Sequence, residues 1–344
     1  MKKLLRLLPL ALADGAKPYI GGQAVLEGVM MRSPKSFVVA VRRPDGSIAV
    51  REEPWNNFFT RHAIFRLPLL RGAIVLIESL WNGYAALDFS AQHAAPEEEG
   101  QGPASKFAIG LTLVLSLAFG LGLFVGVPHL LTWGLGQLAG HPLDTTQFAF
   151  HAIDGALRLA IFILYIGLIA RLPDIRRVFE YHGAEHKTIW AYEKDEGVEV
   201  EAAARQTTLH PRCGTSFLLL VVGISILLFS VVFPMVPRLA EGELANTLLQ
   251  MAVKIPLTFP IAGISYELQR LAARHPENVL LRAITAPGLW MQRITTREPS
   301  TDQLEIAVLA MRRCIAYEEG KRKESRGGTY TLDGEAYPIT HIVA

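Results

Sequence analysis

His182, Glu185 and His186 lie together in "YHGAEHKTIWAYE", residues 181–193. No proline interrupts the stretch and its single glycine is tolerable, so it reads as helix. Histidines four apart share one helix face, roughly 40° apart around the axis. Two imidazoles so placed can grip one metal ion, with Glu185 on the shoulder of that face. The order His-x-x-Glu-His is the inverted form of the zinc-peptidase helix motif. In that chemistry two histidines are ligands, a remote group completes the set, and the glutamate acts as base at the open coordination position. Imidazole ligands favour zinc over magnesium. The competing reading is a surface helix whose histidines hydrogen-bond to neighbours or to lipid phosphates.

The elements that must position this trio are largely apolar. Half of the 344 residues are hydrophobic and only 19% are charged. Residues 107–133 and 215–237 carry no Asp, Glu, Lys or Arg, and a bilayer core needs about 20 such residues in a helix. Residues 148–170 contain Asp154 and Arg158, and residues 246–268 contain Lys254 and end near Glu267. Both are still long enough to span. The expected fold is therefore mainly α: a helical polytopic membrane protein with about four transmembrane helices. Two cysteines, Cys213 and Cys314, make no disulfide framework.

Charge distribution gives an orientation. The first 106 residues hold thirteen Lys and Arg, loop 134–147 none, loop 171–214 seven, the third loop only Arg238, and the part beyond 268 eleven. By the positive-inside rule both termini and loop 171–214 are expected in the cytoplasm, so the histidine helix sits at the cytoplasmic membrane surface. A fifth apolar stretch, residues 67–87, holds Arg71 and Glu78; spanning would break the charge pattern, so an interfacial or re-entrant helix is expected. The opening "MKKLLRLLPLALADG" imitates a signal peptide, but Arg6 shortens its apolar run, and a basic amphipathic segment on the membrane surface is expected instead. Residues 36–54 alternate around Pro-Asp-Gly as a β-hairpin, and "YTLDGEAYPITHIV" suggests another. Residues 94–105 read as a polar linker. Three regions follow: 1–106, a bundle at 107–268, and 269–344.

Further ligands are sought at the same depth. "LHPRCGTSF" offers His210 and Cys213 just before the third span, and Glu267 ends the fourth. His210 leads as third ligand, with Cys213 and Glu267 beside it. "GGQAVLEGVMMRSP" adds Glu27 among glycines. Each has a plain structural alternative: His210 as a helix cap, Cys213 as a small buried thiol, Glu267 paired with Arg270 or Arg274. Within the membrane, Asp154 and Arg158 can pair at four apart, with Lys254 at comparable depth. They read either as a structural salt bridge between the second and fourth helices or as a pocket for an anionic group. Segment 283–308 reads as an interfacial stretch around Trp290 followed by a helix capped at Ser300 or Thr301.

The motifs "GGQAVLEGVMMRSP", "YHGAEHKTIWAYE", "HPRCGTSF" and "TREPSTDQLEIAV" resemble the bacterial YqhQ-like family of multi-pass membrane proteins, over roughly residues 18–315. The resemblance implies a bacterial inner-membrane protein with metal-dependent activity. It directs attention to His182, Glu185, His186, His210, Cys213 and Glu27, and supplies no reaction.

The function expected is a membrane-integral metal-dependent enzyme, a zinc hydrolase. His182 and His186 hold a divalent transition metal, Glu185 is the base, and the substrate is membrane-associated. The alternative is a non-enzymatic assembly or quality-control factor with a structural metal site, partnered by other membrane proteins. A transporter built on Asp154, Arg158 and Lys254 lacks repeat symmetry. No P-loop or dinucleotide fingerprint occurs, and the basic residues form no nucleic-acid patch.

Overall fold

Apolar runs of this length satisfy their backbone groups only as helices when water is absent. The computed structural model describes residues 17–55, 65, 67–94, 106–141, 143, 147–237, 239–275, 277–320, 328–332 and 335–341. The expected amphipathic opening (1–15) lies outside the described residues, as does the linker from 95 to 105. Four helices are long and apolar enough to cross a membrane: Val114–Leu138, Phe148–Ile169, Gly214–Met235 and Leu248–Arg274. They match the four expected spans to within a few residues at most ends. The first joins α2 (Lys106–Leu121) through a π-helical turn, Gly122–Gly126, to α3 (Val127–Leu138). Next come α4 (Phe148–Ile169), α7 (Gly214–Val232) with a 3₁₀ turn, and α8 (Glu243–Arg274), which carries Pro256 and Pro260 inside it. The helix α4 packs on both α3 and α7, and α7 packs on α8.

At one end of this bundle sits a layered sheet and helix unit. Strands β1 (Gly21–Val25), β2 (Gly28–Arg32), β3 (Ser36–Arg42) and β4 (Ile48–Pro54) form an antiparallel meander. The expected hairpin at 36–54 is its β3–β4 half. A second hairpin, β5 (Gly328–Leu332) and β6 (Glu335–His341), extends the sheet, with β6 parallel to β4. Strand β3 reads "SFVVAVR" without apolar-polar alternation because both sheet faces are covered. Phe37, Val39 and Val41 pack beneath Ala86 and Phe89 of α1 (Leu70–Ala94). Val38 and Ala40 face the other way, into a core with Tyr181 and Ala184 of α5 (Pro173–Glu193) and Leu304 to Met311 of α10 (Thr301–Glu318). The first, middle and last parts of the chain thus share one core.

Local chemistry sets the ends of these helices. Pro173 opens α5, where a missing N–H costs nothing. Ser300 and Gln303 form a capping box at the start of α10. The short α6 (Val200–Ala204) seals the core after α5, and α9 (Val279–Thr295) packs along α7. At its start, α1 packs on α8 where Gly72 faces Gly263, a crossing too close for side chains. Its outward side carries exposed Leu70, Ile77, Leu80, Trp81, Tyr84 and Leu87.

Candidate metal centre

One helix, one loop and one helix end build the centre. From α5 come His182, Glu185 and His186. The loop 205–213 brings Cys213, and the last turn of α9 brings Thr295. The ring of His182 donates from Nδ1 to the Thr295 carbonyl at 2.8 Å. That of His186 donates from Nδ1 to the Thr208 carbonyl at 2.5 Å. A carbonyl can only accept, so each neutral ring keeps its proton on Nδ1 and its lone pair on Nε2. Both Nε2 atoms are thereby set up as ligands, by the support that metal-binding histidines ordinarily have.

Cys213 supplies the third atom. Its Sγ lies 3.2 Å from His182 Nε2, and one ligand atom from each of His182, His186 and Cys213 falls within 4.8 Å of the others. Ligands around a tetrahedral zinc are about 3.3–3.7 Å apart, so the set needs only small closure to fit. Two imidazole nitrogens and a thiolate suit zinc. Two buried atoms of this helix have no hydrogen-bond partner among the described residues: His186 Nε2, and Oε2 of Glu185, whose carboxyl interacts electrostatically with His182 and Cys213. A cation held by the cluster would satisfy His186 Nε2, and on that observation the residues fit a metal.

Electrostatics agrees with the geometry. Burial pushes Glu185 up to about 8, although the His182 charge and an Ala24 backbone hydrogen bond pull it down. Burial would also raise the Cys213 thiol. The neighbouring His186 ring and bonds from Thr215 at the N-terminus of α7 outweigh burial and hold the thiol below its usual range. Burial lowers His186, against the pull of Cys213. Glu185 reaches this position because β1 presents a glycine to it: a Cβ on Gly22 would stand 2.7 Å from the Glu185 side chain.

Other sequence candidates fall at different distances. His210 is a neighbour of the cluster, its ring centroid 5.6 Å from that of His186, but its Nε2 faces Glu193 at 3.4 Å. Burial takes His210 down to about 4. Glu267 lies outside the cluster and makes a two-pronged salt bridge to Arg71 of α1. Glu27, at the β1–β2 turn with φ 51°, pairs with Arg177 and accepts from Tyr181 Oη at 3.3 Å. Asp154 and Arg158 do pair, at 2.9 Å, toward the other end of the bundle, while Lys254 lies over the rings of Phe229 and Phe233.

Two buried glutamines that sequence reasoning passed over hold the ligand loop in place. Gln292 of α9 bonds both the N–H and the carbonyl of His210, each at 2.8 Å, and Ser216 Oγ at 2.7 Å. Gln269 of α8 donates to the Cys213 carbonyl at 3.1 Å. Their signal was available: an amide in an otherwise apolar helix needs a partner. The supporting carbonyls of Thr208 and Thr295 had none, because backbone groups leave no mark in residue type.

A family model described as "Protein of unknown function (DUF1385)" matches residues 67–317. The chain belongs to this family. It is 34% identical over 304 residues to "Uncharacterized protein YqhQ" of Bacillus subtilis (strain 168), covering 85% of this chain and 90% of that protein. The YqhQ-like resemblance read from the motifs is thereby shown at the level of family. No solved structure matches the chain.

Proposed function

We propose that this DUF1385 chain is a membrane-integral, metal-dependent enzyme, a zinc hydrolase of the bacterial inner membrane working at the cytoplasmic surface. One observation carries the reading. Three ligand atoms converge, and beside them a buried Glu185 oxygen has no partner. A structural zinc site closes with four protein ligands, whereas a catalytic site keeps one position open. The described residues supply three, with His210 turned to Glu193.

Bound zinc would supply Lewis-acid polarisation and lower the pKa of water. His182 and His186 hold the ion through Nε2, with Thr295 and Thr208 fixing the rings. Cys213 adds charge from the N-terminus of α7. Beside a bound cation the Glu185 carboxyl would be held ionised, so that its Oε2 could take a proton from the attacking water and return it to the leaving group.

The substrate is membrane-associated. The Lys and Arg of loop 171–214 and of both terminal regions support a cytoplasmic side for the centre. The exposed apolar stripe of α1, with Trp81 and Tyr84, supports the interfacial placement of that helix, and Trp290 of α9 is exposed beside it in kind. A second reading, a structural clamp in an assembly or quality-control factor, has one observation in its favour: the His210 ring is near enough to complete a four-ligand set by turning away from Glu193.

The test is metal content by mass spectrometry in detergent-purified protein. Wild type is expected to hold one zinc, lost in His182→Ala/His186→Ala. Glu185→Gln should keep the zinc. Folded, chelator-free wild type without metal sinks the proposal. A His210→Ala variant that loses zinc favours the clamp.

A further inference from the structure

Away from the metal centre, polar residues gather inside the bundle at its other end. On α4, His151, Asp154 and Arg158 recur at i, i+3 and i+7, and so share one face. On α8, Asn246, Gln250 and Lys254 recur at i, i+4 and i+8. His129 of α3 is 3.9 Å from Asp154, and Ser230 lies near the end of α7. Aromatic rings tie the four helices together: His129 to Phe150, His151 to Phe233, and Phe233 to Lys254.

Charge in this cluster does not balance. Asp154 is bonded to Arg158 at 2.9 Å. Lys254 has no carboxylate partner among the described residues, and the charged groups acting on it are Asp154 and Arg158. One acid therefore faces two cations. The unpartnered buried atoms include three donors, Arg158 Nε, Gln250 Nε2 and Ser230 Oγ, and one acceptor, the carboxylate oxygen Asp154 Oδ1. Gln250 and Ser230 are only 2% and 4% exposed. Within a membrane such an ammonium is costly without an anion, and donors without acceptors add to that cost.

We propose that this cluster is a binding site for a singly charged oxyanion of the phosphodiester or phosphate type, held by Lys254 and Arg158 with Gln250 and Ser230 as neutral donors. It stands independently of the His–Cys centre, with α4, α7 and α8 all contributing. Asp154 orients Arg158 and limits the net charge to one.

The experiment is thermal unfolding in a neutral detergent, titrated with phosphatidylglycerol, phosphatidylcholine or inorganic phosphate. Phosphatidylglycerol alone stabilising wild type identifies a lipid phosphodiester; inorganic phosphate stabilising it identifies a soluble oxyanion. In either case Lys254→Met should weaken binding about 10- to 100-fold, the effect of losing one charge-assisted hydrogen bond. Lys254→Arg should retain it. No stabilisation of wild type by either anion overturns the proposal, as does equal stabilisation of Lys254→Met. Should Lys254→Met fail to fold, native mass spectrometry of wild type replaces it: phosphatidylglycerol retained no better than phosphatidylcholine, with no phosphate adduct, overturns the proposal equally.

Discussion

Replacing Gly183 by alanine sets two effects against each other. In an open helix interior alanine is favoured over glycine by about 1 kcal/mol. At Gly183 the added Cβ would stand 1.9 Å from the Arg297 carbonyl oxygen, where contacts under 3.0 Å do not occur. The segment carrying Arg297 must retreat from α5 by about 1 Å. That segment is bonded to α5 through Arg297 N–H and the Phe179 carbonyl at 2.8 Å, and it follows directly on Thr295, which holds His182. Overpacking of this kind costs about 1–3 kcal/mol, more than the propensity gain. Loss of a supporting hydrogen bond costs about 10- to 100-fold in metal affinity. Gly183→Ala should therefore melt at a lower temperature and bind zinc 10- to 100-fold more weakly in competition with a chromophoric chelator. Gly167→Ala, in α4 with a Cβ that meets nothing within 4 Å, is the control and should melt no lower than wild type and keep its zinc affinity. Wild-type melting and wild-type zinc affinity in Gly183→Ala would refute the assignment of Thr295 as the support of His182.

Two further outcomes separate the ligands from their neighbours. Glu267→Gln should lower stability by weakening the α1–α8 contact while leaving the zinc stoichiometry of wild type, because Glu267 is bound to Arg71; a loss of metal would return Glu267 to the ligand set. Burial pushes the Cys314 thiol up to about 11, so at pH 8 only about a thousandth is thiolate and alkylation should be slow, rising as pH approaches 11. Chelation should increase labelling at Cys213 and leave Cys314 unchanged, as read by peptide mass spectrometry; equal labelling of both would show that no metal protects Cys213.

The four long apolar helices and the histidine helix were legible because period and hydropathy are local properties. Pro173 and Ser300 mark their helix ends as their chemistry requires. Sequence placed His210, Cys213 and Glu267 at a common depth, and depth alone could not choose among them. The choice turns on competition: Arg71 takes Glu267 and Glu193 faces His210, leaving Cys213. Those partners lie up to 196 residues away in the chain, beyond any helical or strand period. Of the six-stranded sheet, the β3–β4 and β5–β6 hairpins were expected and the β1–β2 hairpin was not. "GGQAVLEGVMMRSP" drew attention for Glu27, while its glycines belong to a hairpin in which Val25 pairs with Gly28 and Glu27 takes a positive φ.

The shared core also dictates an order of events during synthesis. Strand β1 is made near the start of the chain, α5 after two candidate spans, and α10 after two more. At usual elongation rates, roughly 15–60 s separate β1 from α10. Until α10 emerges, the parts of β2, β3 and α5 that it covers stay open, and before α9 is made Thr295 has yet to meet His182. If the four apolar helices span a membrane, failure of the third or the fourth alone to cross would leave α5 and α10 on opposite sides of it, and the unit could not shut. On the proposed function, closure of the His182–His186–Cys213 cluster would thus report that insertion has succeeded.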